Sequence, residues 1–422
     1  MAVKRFLPRA VAVAQVGTIR ITAYDAGTTY KITIGGVTVS VLGTTDAAGT
    51  AEALAHACAA STHPYFAQIT WTHLTDTITL TGKATYVGNP FTAVASVSGA
   101  AGTIGAYAAV TAATGPNDPT NAVNYTGAAV PGAGDTLIID DPNVRLVGAD
   151  LSGWGTLALV QLPASLAGQA LCAFTPQKFA LYPSGSEYDE DLPEYRSAKL
   201  IINASRFESG DPKAGSTAGG TGRAIIDVSN VACAIHIFGT GSSLDTDRSA
   251  LRLLGNSASS HIYARGGSWG TAEEPDETAT FGTVNILDDG QGSTGNVTPR
   301  TTWTNWTQTG GDNVARAAAD ATKVIVHGGT LRTEGDWKAA FDVYPGGRLY
   351  PNHEKTAGSA ISTLALYGGE VDALSSRAAR TWDAVKFYNP DAKVRYDKTV
   401  VTVTAITNER TGPVELSMAA IA

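Results

Sequence analysis

Charged residues are scarce in this sequence. Asp, Glu, Lys and Arg make up 16% of the 422 residues, the net charge is −8, and no long basic run occurs. A protein that binds nucleic acid through its phosphates needs a clustered basic surface. No segment approaches the ~20 consecutive apolar residues that span a bilayer. We therefore expect neither a nucleic-acid partner nor a membrane partner.

Cysteine is also rare, and its three positions are far apart: Cys58, Cys172 and Cys233. An odd, dispersed set among apolar neighbours indicates buried thiols rather than a disulfide framework. No Cys-x-x-Cys or His-x-x-x-His pattern occurs, so neither a metal ion nor another cofactor is expected. The apolar run after the basic residues 1–9 is too short for a secretory signal. This predicts synthesis in a reducing cytoplasm.

Glycine, in contrast, is abundant, with 46 residues, and it recurs in pairs within one phrase. The phrase consists of alternating apolar residues, two glycines, a polar residue and another apolar residue. It occupies residues 324–331, 343–349 and 364–371, with a looser copy at 262–269. Its glycine pairs begin 62, 18 and 22 residues apart. A period of ~20 residues fits these intervals, with three periods in the longest.

This repeat predicts a right-handed parallel β-solenoid. Period-2 alternation is typical of a strand with one buried face, and a glycine pair supplies a bend with positive φ. A strand, a bend and a strand every ~20 residues indicate stacked coils. Four side chains should then point into one core: Val324, Val326, Leu364 and Leu366. The alternative is an ordinary β-sandwich with glycine turns.

The first hundred residues follow a different pattern. Alternating segments predict strands at residues 18–24, 30–34, 37–42, 67–71 and 77–81. Gly35-Gly36 predicts a two-residue hairpin. Residues 47–60 are rich in alanine and predict a helix, with Thr45 or Asp46 as its N-cap. Together these elements predict a small α+β module of the order βββαββ.

Composition then suggests three parts. Residues 98–116 are rich in Gly, Ala and Ser, and the run from Gly115 to Pro119 breaks regular structure. We expect an N-terminal α+β docking module with its linker at residues 1–112. A parallel solenoid with long loops should follow at 113–375, with its first strand near Thr136. Residues 376–422 should supply C-terminal strands and a cap that covers open strand edges.

Two segments resemble structural proteins of tailed bacteriophages. The paired strands, the alanine-rich helix and residues 78–82 and 88–92 resemble a small domain of such proteins. Residues 117–125 and 130–135 resemble the entry to their β-helical segments. The resemblance covers roughly residues 17–140. It implies a virion component, namely a capsid decoration protein, a head fibre or a part of the tail.

Catalytic candidates are few. Phage β-helices can cleave polysaccharide with two nearby acids, which makes three pairs candidates: Asp288 with Asp289, Glu273 with Glu274, and Asp245 with Asp247. Adjacent acids in glycine-rich loops are more often solvated turn residues. No complete nucleophile-elbow motif occurs, and His236 fits a strand residue better than a catalytic base. Four tryptophans suit either sugar stacking or the solenoid core: Trp269, Trp303, Trp306 and Trp337.

These observations favour a non-enzymatic phage structural protein without catalytic, cofactor or metal residues. We expect a homotrimer that decorates and stabilises the capsid by docking on the major capsid protein or another virion protein. It would be made in the host cytoplasm and reside in the virion. The alternative is a tail-associated spike or fibre that binds or cleaves host surface glycan. A bacterial surface adhesin is a third possibility, which the missing signal peptide disfavours.

Overall fold

The computed structural model of this chain describes residues 2–83, 91–99, 101–116, 118–140, 149–163, 200–210, 224–240, 249–273, 277–287, 293–315, 321–333, 339–351, 361–374, 379–409 and 418–419. The first elements are β1 (Val3–Phe6), β2 (Val16–Ala23), β3 (Thr29–Ile34), β4 (Val37–Leu42), α1 (Ala47–Ala60), α2 (Pro64–Ala67), β5 (Ile69–Leu74), β6 (Thr77–Gly82), β7 (Ala93–Ser98), β8 (Thr103–Ile104) and β9 (Ala108–Thr111).

Strands dominate the remaining described residues, which also contain two short 3-10 helices at Ala122–Asn124 and Ser152–Trp154. The strands are β10 (Thr136–Ile139), β11 (Leu159–Leu162), β12 (Leu200–Ile201), β13 (Arg206–Ser209), β14 (Ala224–Asp227), β15 (Ala234–Ile237), β16 (Leu251–Leu254), β17 (His261–Ala264), β18 (Gly267–Thr271), β19 (Ala279–Thr280), β20 (Thr283–Ile286), β21 (Ser293–Val297), β22 (Thr301–Thr302), β23 (Asn305–Gln308), β24 (Asp312–Ala315), β25 (Lys323–Val326), β26 (Gly329–Thr333), β27 (Ala340–Val343), β28 (Gly347–Tyr350), β29 (Thr363–Leu366), β30 (Glu370–Ala373), β31 (Arg380–Phe387), β32 (Lys393–Tyr396), β33 (Val401–Asn408) and β34 (Met418–Ala419).

Two long parallel sheets form a β-solenoid, as the sequence predicts. The first sheet has 13 strands, in the order β1-β10-β11-β13-β15-β17-β20-β23-β25-β27-β29-β31-β33. The second has 11 strands, in the order β12-β14-β16-β18-β21-β24-β26-β28-β30-β32-β34. From β11 onward the chain alternates between the two sheets, so that each described coil contributes one strand to each. A small third sheet pairs β19 with β22.

One continuous apolar row runs through the first sheet. Residues that lie opposite one another on successive strands are buried from coil to coil: Leu137, Val160, Phe207, Ile235, Ile262, Val284, Trp306, Val324, Phe341, Leu364 and Val385. Val326 and Leu366, which occupy the next inward position, are also fully buried. The predicted inward orientation of Val324, Val326, Leu364 and Leu366 is therefore confirmed.

The glycine phrase corresponds to one coil. In the copy at 324–331, β25 ends, Gly328-Gly329 forms the corner, and β26 begins. Gly329 and Gly346 have φ values of +72° and +88°, which only glycine adopts at little cost. The 62-residue interval contains three coil steps, because β17 pairs with β20, β20 with β23, and β23 with β25.

The α+β region, which we define as residues 13–114, is antiparallel. It contains one sheet in the order β5-β6-β2-β8, with β9 also paired to β2, and a second in the order β4-β3-β7. Helix α1 buries Ala51, Leu54 and Ala55 against these sheets. Its N-cap is Asp46, whose side chain accepts a hydrogen bond from Gly49 N at 2.7 Å. The hairpin at Gly35-Gly36 is confirmed by antiparallel pairing of β3 with β4.

The joint between the α+β region and the solenoid differs from a simple linker. Strand β1 pairs in parallel with β10, so residues 3–6 belong to the solenoid sheet, and the α+β region is inserted between these two strands. Residues 3–6, which the sequence analysis placed in the range of the docking module, thus pair with the first solenoid strand. The physical reason is that β1 covers the open edge of β10, which would otherwise leave unpaired backbone groups.

The two chain segments of the joint are tied together by Asn124, which is fully buried. Its Oδ1 accepts hydrogen bonds from Arg9 N at 3.0 Å and Ala10 N at 2.9 Å. Its Nδ2 donates to Gly115 O at 2.6 Å and Asp118 O at 2.9 Å. One amide side chain therefore connects the segment that leaves the solenoid with the segment that returns.

The strands expected in residues 376–422 are present and continue the solenoid sheets. Beyond residue 375, β31 and β33 extend the first sheet, and β32 and β34 extend the second. The glycine phrase does not occur in these coils. Asn389-Pro390 lies at the corner where earlier coils have glycines. The coil spacing nevertheless persists, since Leu364 lies opposite Val385.

Candidate interaction surface

Most of the acids considered from the sequence lie outside the described residues: Asp245, Asp247, Glu274, Asp288 and Asp289. Trp337 and Cys172 lie outside them as well. Cys58 and Cys233 are buried and free, and burial raises the pKa of each thiol to about 12. Both cysteines therefore pack as small apolar residues.

Glu273 is part of a buried ion cluster against the outer face of the second sheet. Its carboxylate accepts from Ser249 Oγ at 2.6 Å and lies 3.6 Å from Arg252 Nε. Arg252 also donates to both carboxylate oxygens of Glu277, at 2.7 and 2.8 Å. The side chains of Glu273 and Arg252 are 5% and 6% exposed. In this covered cluster one guanidinium engages two carboxylates, so Glu273 is held in an ion pair and is not presented to a substrate.

The three described tryptophan candidates, Trp269, Trp303 and Trp306, are fully buried. Trp269 packs over Gly295 on the neighbouring coil, where a Cβ would lie 2.4 Å from the indole. These rings fill the core and are not available for stacking on sugar. His236 lies on the outer face of β15 and stacks on Tyr263 at 4.8 Å. Its pKa is lowered, mainly by desolvation and also by Arg206.

A column of glycines opens a shallow groove at one corner of the solenoid. Gly329 lies opposite Gly347, and pairing of Arg348 with Glu370 places Gly369 next in the column. A Cβ at Gly347 would lie 2.5 Å from Val326 O, and one at Gly369 would lie 2.4 Å from Val343 Cγ1. The glycines are required by close coil stacking, and the groove of about 440 Å³ is the consequence.

Charged side chains form one wall of this groove. Arg348, Glu370 and Lys393 lie opposite one another on successive strands. Glu370 Oε2 is 3.6 Å from Arg348 Nε, and its Oε1 is 3.4 Å from Arg395 Nη2. Both oxygens of the groove's glutamate are thus engaged by guanidinium groups. Exposed pairs of this kind add little stability, but they create an alternating pattern of charge.

Stacked aromatic rings flank the corner on its other side. We call His327, Tyr344, Tyr367 and Tyr388 the aromatic ladder. Successive ring centroids are 4.3, 4.6 and 4.6 Å apart, close to the spacing of neighbouring strands. The faces of neighbouring rings therefore contact one another. What the ladder offers to a partner is a row of ring edges and hydroxyl groups.

A regular position of the glycine phrase indicates this ladder in the sequence. In three copies of the phrase, an aromatic residue follows the first strand: His327 before Gly328, Tyr344 before Pro345-Gly346, and Tyr367 before Gly368. A residue at a fixed position in a repeat forms a column on a solenoid. Groove, charged wall and ladder together form a polar surface that offers hydrogen-bonding and charged groups to a partner.

A second candidate surface is the α+β region. Of the 12 large hydrophobic residues that are exposed in the described part of the chain, nine lie within the first 123 residues. They are Val3, Val11, Val13, Leu42, Leu74, Val94, Val97, Val110 and Val123. Leu42 lies on β4, and Val94 and Val97 lie on β7, which are the two edge strands of their sheet. Exposed apolar residues on edge strands favour contact with another protein.

No protein-family model matches the chain, and no curated protein matches it significantly. None of the helices in the described ranges has the length and apolar character that crossing a membrane requires. Function must therefore be inferred from the geometry and from the residues themselves.

Proposed function

We propose that this protein is a non-enzymatic structural component of a bacteriophage virion, a homotrimer that decorates and stabilises the capsid. The observation that carries the proposal is the uneven distribution of exposed apolar side chains. Six of the 12 lie within the α+β region, three lie on β1 or in the joint, and three lie on the rest of the solenoid, whose other large apolar residues mostly fill its core. One end of the molecule is therefore suited to docking, and the other to projecting from the surface.

The joint supports this arrangement. A docking module that supports a projecting rod must transmit force through more than a flexible tether. Here β1 lies in the solenoid sheet, and Asn124 ties the two connecting segments together. The α+β region would contact the major capsid protein or another virion protein through its edge strands. Docking by edge strands uses backbone hydrogen bonds that are already aligned.

Trimer formation is the second part of the proposal. A solenoid offers long flat faces that repeat along its axis, and cyclic symmetry closes such an assembly without leaving an unpaired face. Size-exclusion chromatography with light scattering should give a mass about three times the chain mass of 43.4 kDa. A monomer at micromolar concentration would contradict the trimer.

The location is tested on particles. Antibodies against the purified chain should label intact phage particles from cells that carry this coding sequence. We expect many labels on the head, counted by electron microscopy, with a preimmune serum as the control. Labels only at the tail would show that the protein belongs to the tail and does not decorate the capsid. Unlabelled particles would refute the virion proposal.

A second candidate, a tail spike or fibre that binds host surface glycan, is favoured by the groove. Its alternating charges and tyrosine hydroxyls match the hydrogen-bonding groups of an anionic polysaccharide. If it binds capsular polysaccharide, the variant Arg348→Ala/Lys393→Ala should bind several-fold more weakly. The matched variant Arg206→Ala/Lys323→Ala, which alters cations outside the groove, should not. Release of reducing ends that is lost in Asp288→Asn would overturn the non-enzymatic proposal.

A further inference from the structure

We propose that Glu52, His56 and His73 form a binding site for a divalent transition-metal ion, and we expect this ion to be Zn²⁺. Their ligand atoms, one carboxylate oxygen and two imidazole nitrogens, all lie within 4.8 Å of one another. This site lies in the α+β region, away from the groove. It is independent of the proposed virion role.

Secondary structure brings the three residues together. Glu52 and His56 are four residues apart on α1, so their side chains share one face of the helix. His73 lies on β5, two residues after Trp71, and therefore on the same face of that strand. Trp71 is buried, which places this face of β5 toward the interior that α1 covers. Helix and strand thus contribute to one cluster from two directions.

The distances suit a metal ion after small side-chain rotations. His73 Nε2 is 3.9 Å from Glu52 Oε1, and the rings of His56 and His73 are 6.0 Å apart at 85°. Ligand atoms around tetrahedral zinc are roughly 3.3 Å apart, given bonds of about 2.0–2.1 Å. Glu52 and His56 are exposed, so their side chains can move by this amount without moving the backbone.

The donor set indicates which ion to expect. Two imidazoles and one carboxylate form a set that zinc uses when a fourth position is left for water. Ca²⁺ and Mg²⁺ prefer oxygen ligands and are disfavoured here. His73 Nδ1 is buried without a hydrogen-bond partner. In most zinc sites, this second nitrogen of a histidine ligand donates a hydrogen bond to an acceptor. Loss of that acceptor lowers the metal affinity by about 10–100-fold. We therefore expect binding weaker than that of a structural zinc site.

The alternative is that Glu52 and His73 form only a long ion pair. At 3.9 Å it would be weak, and it gives no role to His56. A metal ion would engage all three residues and tie α1 to β5. By linkage, an ion that binds only the folded state raises the stability of the α+β region.

The test uses the full chain and ZnCl₂. Competition with a chromophoric chelator should show one equivalent of zinc. Affinity should fall by more than about tenfold in Glu52→Gln and in His56→Ala, because losing a ligand costs at least as much as losing a second-shell partner. Both residues are exposed, so these variants should fold normally. His327→Ala removes an exposed imidazole from the aromatic ladder and should bind zinc like the parent.

A second readout separates this site from a general affinity for metal. Co²⁺ should give the intense visible absorption of tetrahedral coordination in the parent and not in His56→Ala. Zinc should also raise the melting temperature of the parent and not that of Glu52→Gln. Undiminished zinc affinity in the double variant Glu52→Gln/His56→Ala, or no zinc binding by the parent, would overturn the proposal.

Discussion

The solenoid and the α+β region differ in how many of their strands are edge strands. In the solenoid, each internal strand pairs with its equivalents on both sides, and an edge strand occurs only at the two ends of each sheet, where β1 covers β10. In the α+β region, β4 and β7 remain edge strands with exposed Leu42, Val94 and Val97. The difference suggests a division of roles, because the solenoid is saturated by its own repeats while the smaller region retains surface for a partner.

The two regions also differ in how a core position is supported. An inward residue of the solenoid, such as Val326, is packed between equivalents one coil before and one coil after. A core residue of the α+β region, such as Leu54, lies on one helix that packs against the antiparallel sheets and has no repeat on either side. A destabilising substitution in one coil should therefore also weaken the coils stacked on it. A destabilising substitution near α1 should weaken only the α+β region. The predictions below separate these two behaviours, beginning with the largest expected effect.

The largest effect should come from a charge in the solenoid core. Val326→Asp places a carboxylate at a fully buried position and should lower the free energy of unfolding by about 3–5 kcal/mol. Thr307→Asp adds the same charge on the outer face of the preceding coil and should cost less than about 1 kcal/mol. Denaturant unfolding measures both. Equal melting of the two variants would mean that the inward assignment of Val326 is wrong.

The next effect concerns the joint. Asn124→Ala removes four hydrogen bonds and leaves buried amide and carbonyl groups of both connecting segments without partners. We expect a cost of about 2–4 kcal/mol and faster proteolysis between residues 98 and 119.

The matched control for the joint is Asn121→Ala. Asn121 caps the neighbouring 3-10 helix by accepting from Val123 N at 3.1 Å, but it does not join the two segments. After cleavage in the parent, β1 should keep the pieces associated, because it remains paired with β10. Free release of an N-terminal piece under native conditions would contradict this topology.

Acid should weaken the α+β region before the solenoid. Burial lowers the pKa of His63 to about 4, from 6.5. The unfolded chain therefore binds a proton that the folded chain does not, so stability is full above pH 6.5 and falls as the pH drops toward 4. The loss should reach about 2–3 kcal/mol. Hydrogen exchange resolved by region measures it.

His63→Asn is the control for this pH dependence. The Nδ1 of His63 accepts from Tyr65 N at 3.3 Å, and an asparagine oxygen can occupy a similar position without titrating in this range. After correction for the intrinsic pH dependence of amide exchange, the protection of amides in the α+β region of this variant should change little between pH 6.5 and 4. If the parent and the variant show the same pH dependence, other groups are responsible.

The aromatic ladder should contribute less. Tyr367→Leu removes two ring contacts, to Tyr344 and Tyr388, each worth about 0.5–1.5 kcal/mol. Thermal unfolding should show a loss of about 1–3 kcal/mol, and Tyr367→Phe should retain most of the parent's stability. A similar loss in both variants would mean that the hydroxyl group, and not the stacked ring, stabilises the coils.

The sequence predicted the solenoid because a glycine pair at a fixed interval leaves a visible period, and this interval matched three coil steps between Gly266 and Gly328. It did not predict the role of residues 3–6, because a four-residue strand carries no sign of a partner 133 positions away. The same limit applies to the zinc candidate, since His56 and His73 lie 17 residues apart on different elements and meet only after folding.

The smallest effect should come from the helix cap in the α+β region. Asp46 accepts from Gly49 N at 2.7 Å, which satisfies one of the amide groups that the first turn of α1 leaves without an intrahelical partner. Asp46→Ala should cost about 1 kcal/mol, and Asp46→Asn should cost little because asparagine caps equally well. The loss should appear in hydrogen exchange of α1 and β5 while exchange in the solenoid core stays unchanged, because α1 packs mainly against β2 to β6 and not against the solenoid sheets. If solenoid exchange accelerated equally, the two regions would unfold as one cooperative unit, and the division between a docking region and an independently stable solenoid would have to be abandoned.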